Sequence, residues 1–444
     1  MIRSFKRDGI KHVSCIVLGG GTAGWLTALT LQKHIPHHQE VVLVESDKVP
    51  GVGAGEGTTP QFLGILRYLG IPVKEFLSKT NGTKKYGVKF TNWSGNNDEF
   101  SNYFSSKTQS KFACHFDSAL CIAYLKDLAK SRGVTHIVDT YKECERKTLR
   151  NYDRGFTARN KTHELKNITL EEFGKISADQ YFDCSGFSRL LIGKEFDTKW
   201  ISTKEYLPVN SAIPFSIPKD PTSVDAVTYT GAEALDHGWL WRIPLQNRYG
   251  CGYVFDNNNV TVEEAKNEIE SHLGKKIFSK FNGRVIHFES GYYEEQYRGN
   301  VFSIGLSGGF YEPLEATSLM TACIQLDYFL RARTLQNINH KEYNKFMQTV
   351  NHQMLLNLKY HYLNIKNDHP FWKKQFSSPL PPDLLSLLNE DYTFKPKSQK
   401  EYREILGIKT KREVVFDLNT WKAFSTNLIS KYNSPVYKEK NITT

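Results

Sequence analysis

The chain contains no Cys-x-x-Cys pair. Its seven cysteines (Cys15, Cys114, Cys121, Cys144, Cys184, Cys251, Cys323) are odd in number and scattered over 444 residues. That spacing argues against a zinc site and a disulfide framework, and for reduced thiols in a cytoplasm. No metal site is expected. No apolar run approaches membrane-spanning length, and Met1 to Val13 is too polar for a signal peptide, so the expected location is cytoplasmic, away from membranes. Internal repeats and low-complexity linkers are also missing. The net charge is +11, yet there is no long basic arm and no recognisable nucleic-acid module. The lysines are scattered, with only short clusters such as Lys409, Lys411 and Arg412. Most of that charge therefore reads as solvated surface, and nucleic acid is not the expected partner. Sequons such as Asn92-Trp93-Ser94 are chance in a chain this rich in asparagine.

What is present is globular. Hydrophobic residues make up 39% and aromatic residues 13%, enough to bury a large core in two or three domains or one elaborated one. Val13 to Leu18 reads as a buried strand. It runs into Gly19-Gly20-Gly21-Thr22-Ala23-Gly24, and Trp25 to Lys33 has helical character. This is G-x-G-x-x-G in the strand–turn–helix context its chemistry needs. Gly19 permits the tight turn, Gly21 lets backbone approach a pyrophosphate, and Gly24 lets helix and strand pack closely. A second strand, Glu40 to Val44, ends at Glu45, 21 residues beyond Gly24, where an acid suits ribose hydroxyls. Only one such fingerprint occurs, so no second, nicotinamide-binding site is expected.

Four further segments are unusual, and each has a plain structural reading. In Gly238-Trp239-Leu240-Trp241-Arg242-Ile243-Pro244, alternation puts both indoles on one strand face, and Pro244 ends or edges the strand. Such a pair makes a rigid wall beside a cavity, or simply core. Gly51 to Pro60 is a second Gly-rich stretch, able to wrap a ligand or to form a surface loop. Asn81 to Trp93 carries Lys84, Lys85 and Lys89, which by pattern alone suit a solvated strand face. Alternation puts Lys85 and Lys89 on one side and Lys84 on the other. Glu312-Pro313-Leu314-Glu315 opens a helix expected over about Leu314 to Arg333, with Glu315 able to cap its first turn. Asp117, at the start of a helix over Ser118 to Ala129, reads as a cap. Cys184 reads as a small buried hydrophobe.

Taken together these segments resemble the flavin-dependent halogenases. The matching pieces are the fingerprint, Gly55-Glu56-Gly57-Thr58-Thr59-Pro60, Lys85 with Lys89-Phe90 and Asn92-Trp93, His115-Phe116-Asp117, Asp183-Cys184-Ser185-Gly186-Phe187, the two tryptophans with Ile243-Pro244, Glu312 to Ser318, and His369-Pro370-Phe371-Trp372. The resemblance runs from Ile16 to Trp372 and implies an α/β fold. A doubly wound, Rossmann-like FAD-binding domain of the glutathione-reductase type would carry a β-rich substrate region and a helical C-terminal cover. The expected division is a discontinuous FAD module over 1–345, with the β region inserted at about 206–294, and a cover over 346–444.

The resemblance also implies roles. FAD, supplied reduced by a separate flavin reductase, would lie on Gly19, Gly21, Thr22, Ala23, Gly24, Glu45, Gly57, Leu306 and Leu319. The amides of Thr317 and Ser318 would hold halide, at a helix start suited to anions. Hypohalous acid would pass a tunnel lined by Trp239, Trp241, Ile243 and Pro244 to Lys85, which would hold it beside an aromatic substrate, while Glu315 orients it or takes the ring proton. Burial would lower the amine's pKa. The basic balance would help attract phosphate-bearing flavin and halide.

The chain departs from the family pattern at Gly57, at Ala316 and at Ser318, the last two beside the halide site; this points to bromide or iodide in preference to chloride. The segment between Trp93 and Phe112 and the C-terminal stretch are short and divergent, which points to electron-rich phenols, indoles or related heteroaromatics in place of free tryptophan. The Lys/Asn/Tyr bias suggests an AT-rich source such as a marine phage. Two other classes stay open: an aromatic FAD monooxygenase, which would need neither Lys85 nor halide, and a non-catalytic flavin- or nucleic-acid-binding protein, whose DNA binding would weaken steeply with salt.

Overall fold

A computed structural model describes residues 5–7, 9–49, 56–93, 99–104, 111–148, 163–220, 228–274, 284–363, 369–390 and 392–425. The expected Gly-rich wrap at Gly51 to Gly55 lies outside the described residues, as does much of the stretch between Trp93 and Phe112.

The apolar run Val13–Leu18 forms the end of the strand Ile10–Leu18, buried on both faces as parallel strands are. Five strands run parallel in the order Val301–Ser303, Gly174–Asp183, Ile10–Leu18, Val41–Glu45, Thr135–Val138. From Ile10–Leu18 the chain first builds outward on one side, through Val41–Glu45, and later on the other, through Gly174–Asp183. That reversal is the topological switch point, and ligands of doubly wound sheets sit at the carboxyl end of the strand there. Here that end is Gly19. The helix Thr22–His34 crosses over to Val41–Glu45. This is the doubly wound α/β architecture expected.

A second sheet, of seven strands among the described residues, runs Ile286–His287, Ser211–Pro218, Arg248–Phe255, Gly238–Pro244, Thr230–Ala234, Gly87–Thr91, Glu99–Tyr103. Most of it comes from within 206–294, but its far edge is recruited from residues 87–103. The pairing of Thr230–Ala234 with Gly87–Thr91 is parallel, and it ties the lysine-bearing segment to the tryptophan strand. Along Gly238–Pro244, Trp239, Trp241 and Ile243 join the main core, while Leu240 packs the opposite face with Ile213, Tyr253 and Ile269. Trp241 is possible because its cross-strand partner is Gly252; a Cβ there would lie 2.0 Å from the indole.

Residues beyond the sheets are mainly helical: His340–His361, Pro370–Ser377, Pro382–Ser386, Gln399–Ile405 and Leu418–Phe424. The first of these starts ahead of position 346, so a boundary there falls inside a helix. The cover is locked on by indoles. Trp93 packs against Trp239 and Trp372 at ring-centre distances of 6.0 and 5.3 Å, and its N–H donates to the His361 carbonyl at 2.8 Å.

Candidate active site

At the switch point the glycines divide by role. Gly19 has φ +120, and a Cβ on it would lie 2.3 Å from the Cys184 carbonyl oxygen; one on Gly24 would lie 1.9 Å from that of Gly19. Both are needed for strand and helix to meet. A Cβ on Gly21 would meet nothing within 4 Å. Gly21 caps the helix without a side-chain hydrogen bond, so an open face and free amides point the same way. The Glu45 carboxylate lies over Gly20, held by Lys126 and by His136 at 2.9 Å. Ala23 packs 3.5 Å from the position a Gly305 Cβ would take, which brings the turn Gly305–Ser307, with Leu306, against the fingerprint helix. These groups fit a dinucleotide: phosphates at Gly21, Thr22 and Ala23, and a ribose near Glu45. Cys184 is buried and its thiol pKa is raised by that burial, as expected of an inert packing residue.

The lysine segment differs from a single strand. Thr83–Lys85 pairs with Ala113–His115, whereas Gly87–Thr91 joins the large sheet. The chain therefore changes direction at Tyr86, and Lys85 and Lys89 do not share a face. Lys89 reaches outward to Glu99 at 2.8 Å. Lys84 is exposed, over the Phe112 ring. Lys85 alone turns inward and is 1% exposed. Burial lowers its pKa to about 8, against an opposing pull from the charge of Glu315. Its Nζ lies 5.6 Å from the centre of the Phe104 ring. Next to it His115 is fully buried between two hydroxyls, Thr83 Oγ1 at 3.1 Å and Thr230 Oγ1 at 2.9 Å. Burial and the Lys85 charge hold its pKa well below the usual histidine range, so it is neutral.

Glu315 is not the first residue of a regular helix. Leu314–Ala316 is a short 3₁₀ turn, and Glu315 and Ala316 take left-handed φ values of 62 and 55. The helix proper is Thr317–Arg331, opened by Ala316 without a side-chain cap. The kink turns the Glu315 carboxylate away from a capping position and onto His361 Nε2 at 3.3 Å. Burial raises the pKa of Glu315, but the hydrogen bond and charge of His361, the charge of Lys85 and a bond from Asn102 outweigh it, for a net lowering. The carboxylate is therefore ionised. Ser318 sits inside the helix with ordinary φ, so the freedom of a glycine is not required at that position; the positive φ values fall on Glu315 and Ala316 instead. The Thr317 hydroxyl is buried without a hydrogen-bond partner, beside the free amides of the first turn. An orphaned donor at a helix N-terminus fits a small anion.

A second acid sits three residues earlier. Glu312 is fully buried, accepts from the Tyr362 hydroxyl at 2.8 Å, and leaves Oε1 unpartnered. Burial pushes its pKa up to about 8, so it is largely protonated at neutral pH. The same Tyr362 oxygen accepts from Trp239 Nε1 at 3.1 Å. Arg248 binds both Glu56 and Asp117, and Asp117 also caps its helix through the amides of Ala119 and Leu120. An open cleft of about 570 Å³ bounded by Lys204, Asn210, Phe288, Lys374 and Ser378 includes none of these residues.

Comparison with known proteins gives the family. A family model described as tryptophan halogenase matches residues 14–111 and 105–421. The chain belongs to that family. This halogenase is 26% identical to the 7-chloro-L-tryptophan 6-halogenase of Kutzneria sp. (strain 744) over 88% of its own length and 87% of that protein. It is likewise 26% identical to the tryptophan 7-halogenase of Lentzea aerocolonigenes, over 81% and 78%. In three dimensions it superposes on a tryptophan halogenase from Shewanella frigidimarina with TM-score 0.80 at 23% identity, covering 97% of this chain and 92% of that one. The halogenase is thus a flavin-dependent oxidoreductase.

Sequence reasoning singled out Lys85 and Glu315 and missed the roles of His361, Tyr362, Thr230 and Arg248. A signal existed for His361. It lies four residues after Asn357 and seven after Met354 on a long helix, hence on the buried face, where an imidazole needs polar partners on both sides. It has them: Nδ1 donates to the Asn357 carbonyl at 2.7 Å.

Proposed function

We propose that this halogenase installs halogen on an electron-rich aromatic or heteroaromatic small molecule by way of Lys85. The carrying observation is the amine itself, fully buried beside the Phe104 ring with its pKa lowered to about 8. A neutral amine has a lone pair to offer an electrophilic halogen, and near neutral pH this lysine is neutral often enough to act. When bound, reduced FAD supplies the oxidising equivalent from oxygen that turns halide into hypohalous acid. The chain's own residues do the rest. Gly19, Gly21, Thr22, Ala23, Gly24 and Glu45 hold the dinucleotide, and Leu306 and Leu319 lie against its ring system. The amides of Thr317 and Ser318, with the Thr317 hydroxyl, hold the halide.

Trp239, Trp241, Ile243 and Pro244 wall the path to Lys85 and keep the organic substrate off the cofactor. Glu315, ionised and held by His361, orients the electrophile or takes the proton released from the substituted ring. A separate flavin reductase supplies the reduced cofactor, in the cytoplasm.

The relatives above are tryptophan enzymes by name. For this chain the short Trp93–Phe112 segment and the Phe104 ring beside Lys85 favour phenols, indoles and similar rings over free tryptophan, which would need partners for its ammonium and carboxylate. Bromide or iodide is the preferred halide. The FAD module is discontinuous with the β region inserted at about 206–294, and the helices from His340 to Phe424 form the cover. Incubating the enzyme with reduced FAD, each halide separately and a panel of aromatics, read by mass spectrometry, tests the proposal. Halogenated phenols or indoles are expected. Oxygenated products without halide would favour a monooxygenase instead, and tryptophan turnover exceeding every phenol would overturn the substrate class.

A further inference from the structure

Gly57 is a glycine without a local reason. Its φ is not in the left-handed region, so its backbone needs no special freedom. Nor does any neighbour crowd it. A Cβ built on Gly57 has as its three nearest atoms Lys85 Nζ, Ile243 Cδ1 and Thr230 Oγ1, each at 3.8 Å, an ordinary contact. At Gly19, Gly24 and Gly252 a Cβ would collide with backbone or an indole. At Gly57 alanine would fit. What glycine leaves at this position is space, one methyl group across, with the Lys85 amine as one wall. The position is fixed: Gly57 bridges to His115, Glu56 is tied to Arg248, and Thr58 is bonded to Cys114 through its amide and hydroxyl.

A second wall is Ile243, the last apolar side chain on the buried face of the tryptophan strand. The third is the Thr230 hydroxyl, already engaged by neutral His115. The space therefore opens on the reacting nitrogen from the strand expected to guide the electrophile in.

We propose that Gly57 sets how large a halogen Lys85 can carry. The inference rests on the Lys85 reading above. In the step concerned, the amine lone pair attacks the halogen of hypohalous acid. An N–X bond forms as the O–X bond breaks, and the departing hydroxide takes an amine proton and leaves as water. The halogen then projects beyond the surface of the nitrogen. A methyl group in van der Waals contact with Nζ occupies that direction, whereas the empty position over Gly57 admits bromine or iodine as well as chlorine. One methyl group in a packed pocket discriminates by steric fit, and the effect grows with the size of the atom excluded.

The test is competition between equimolar chloride and bromide, with flavin reductase, FAD and phenol as the acceptor, scored as the ratio of brominated to chlorinated phenol. Product formed by a Lys85→Ala variant is subtracted as free hypohalous acid. Gly57→Ala should lower the ratio by about tenfold, the low end of what one methyl group discriminates. Ile243→Val removes the Cδ1 methyl from the same space and should move the ratio the other way; it decides the matter alone if Gly57→Ala does not fold. An unchanged ratio in a folded, halogenating variant overturns the role of Gly57. Equal product from wild type and Lys85→Ala would overturn the relay reading itself, a distinct failure.

Discussion

Two carboxylates three positions apart, in nearly the same depth of protein, have been given opposite states. Glu312 meets only a neutral hydroxyl, so burial dominates and its pKa rises to about 8. Glu315 meets His361, Lys85 and Asn102, which together outweigh burial and hold its pKa low. Environments that separate two acids in this way assign them different tasks. Glu312→Gln replaces an already neutral group with an isostere and should leave turnover close to wild type. Glu315→Gln should cost orders of magnitude in kcat while the protein stays folded by circular dichroism. It carries a second signature. The Glu315 charge raises the pKa of Lys85, so its removal should shift the rising limb of the pH–rate profile from near 8 to lower pH.

Lys85 and Lys84 make a parallel contrast, buried amine against exposed one. Lys85→Ala should abolish halogenation measured by mass spectrometry, while flavin oxidation, followed by absorbance, continues. Lys84→Ala should be mild. Reversed effects would transfer the role to Lys84.

At the scale of elements, the site depends on places where a regular strand or helix is interrupted. The break at Tyr86 sends Lys85 to one two-stranded ladder and Lys89 to another sheet. The left-handed pair Glu315–Ala316 separates the acid from the helix Thr317–Arg331, whose first-turn amides are the ones proposed to hold halide. Left-handed φ in non-glycine residues carries a cost of order 1–3 kcal/mol each and gathers at functional sites. The tryptophan strand is interrupted in neither way; it works by close fit. Because Trp241 lies where a Cβ of residue 252 would be, Gly252→Ala should destabilise by about 3 kcal/mol, as overpacking of a rigid ring does. Thermal unfolding checks this, with Gly57→Ala, which meets no such clash, as the comparison.

At the scale of the whole molecule, two sheets and a helical cover each contribute residues to the candidate site. The parallel sheet offers Gly21 and Glu45, the seven-stranded sheet offers Ile243 and Thr230, and the long helix His340–His361 offers the imidazole that holds Glu315. Oxidised FAD binding only the folded state should raise the unfolding free energy by about 2.7 kcal/mol at a hundredfold excess over Kd. Glu45→Ala should reduce that gain at fixed FAD concentration in a thermal-shift series. No FAD-dependent shift in wild type would leave the fingerprint without its ligand.

The sequence by itself determined the features whose causes are local. The fingerprint, its flanking strand and helix, the cap at Asp117 and the facing of Trp239 and Trp241 all follow from residue types at short spacing, because backbone geometry fixes which neighbours share a face over a few residues. Lys85 and Glu315 were legible only through resemblance; pattern alone made them a surface lysine and a helix cap. Tertiary structure decided which of three lysines is buried, that Lys89 points away, that Glu315 leaves the helix, and that His361 and Tyr362 stand behind the two acids. Those outcomes depend on partners more than a hundred residues distant in some cases, such as Thr230 beside His115 and Tyr362 beside Trp239. Charge state followed the same division: a side chain's identity sets its ordinary pKa, but burial and the groups brought to it by the fold set the one it has.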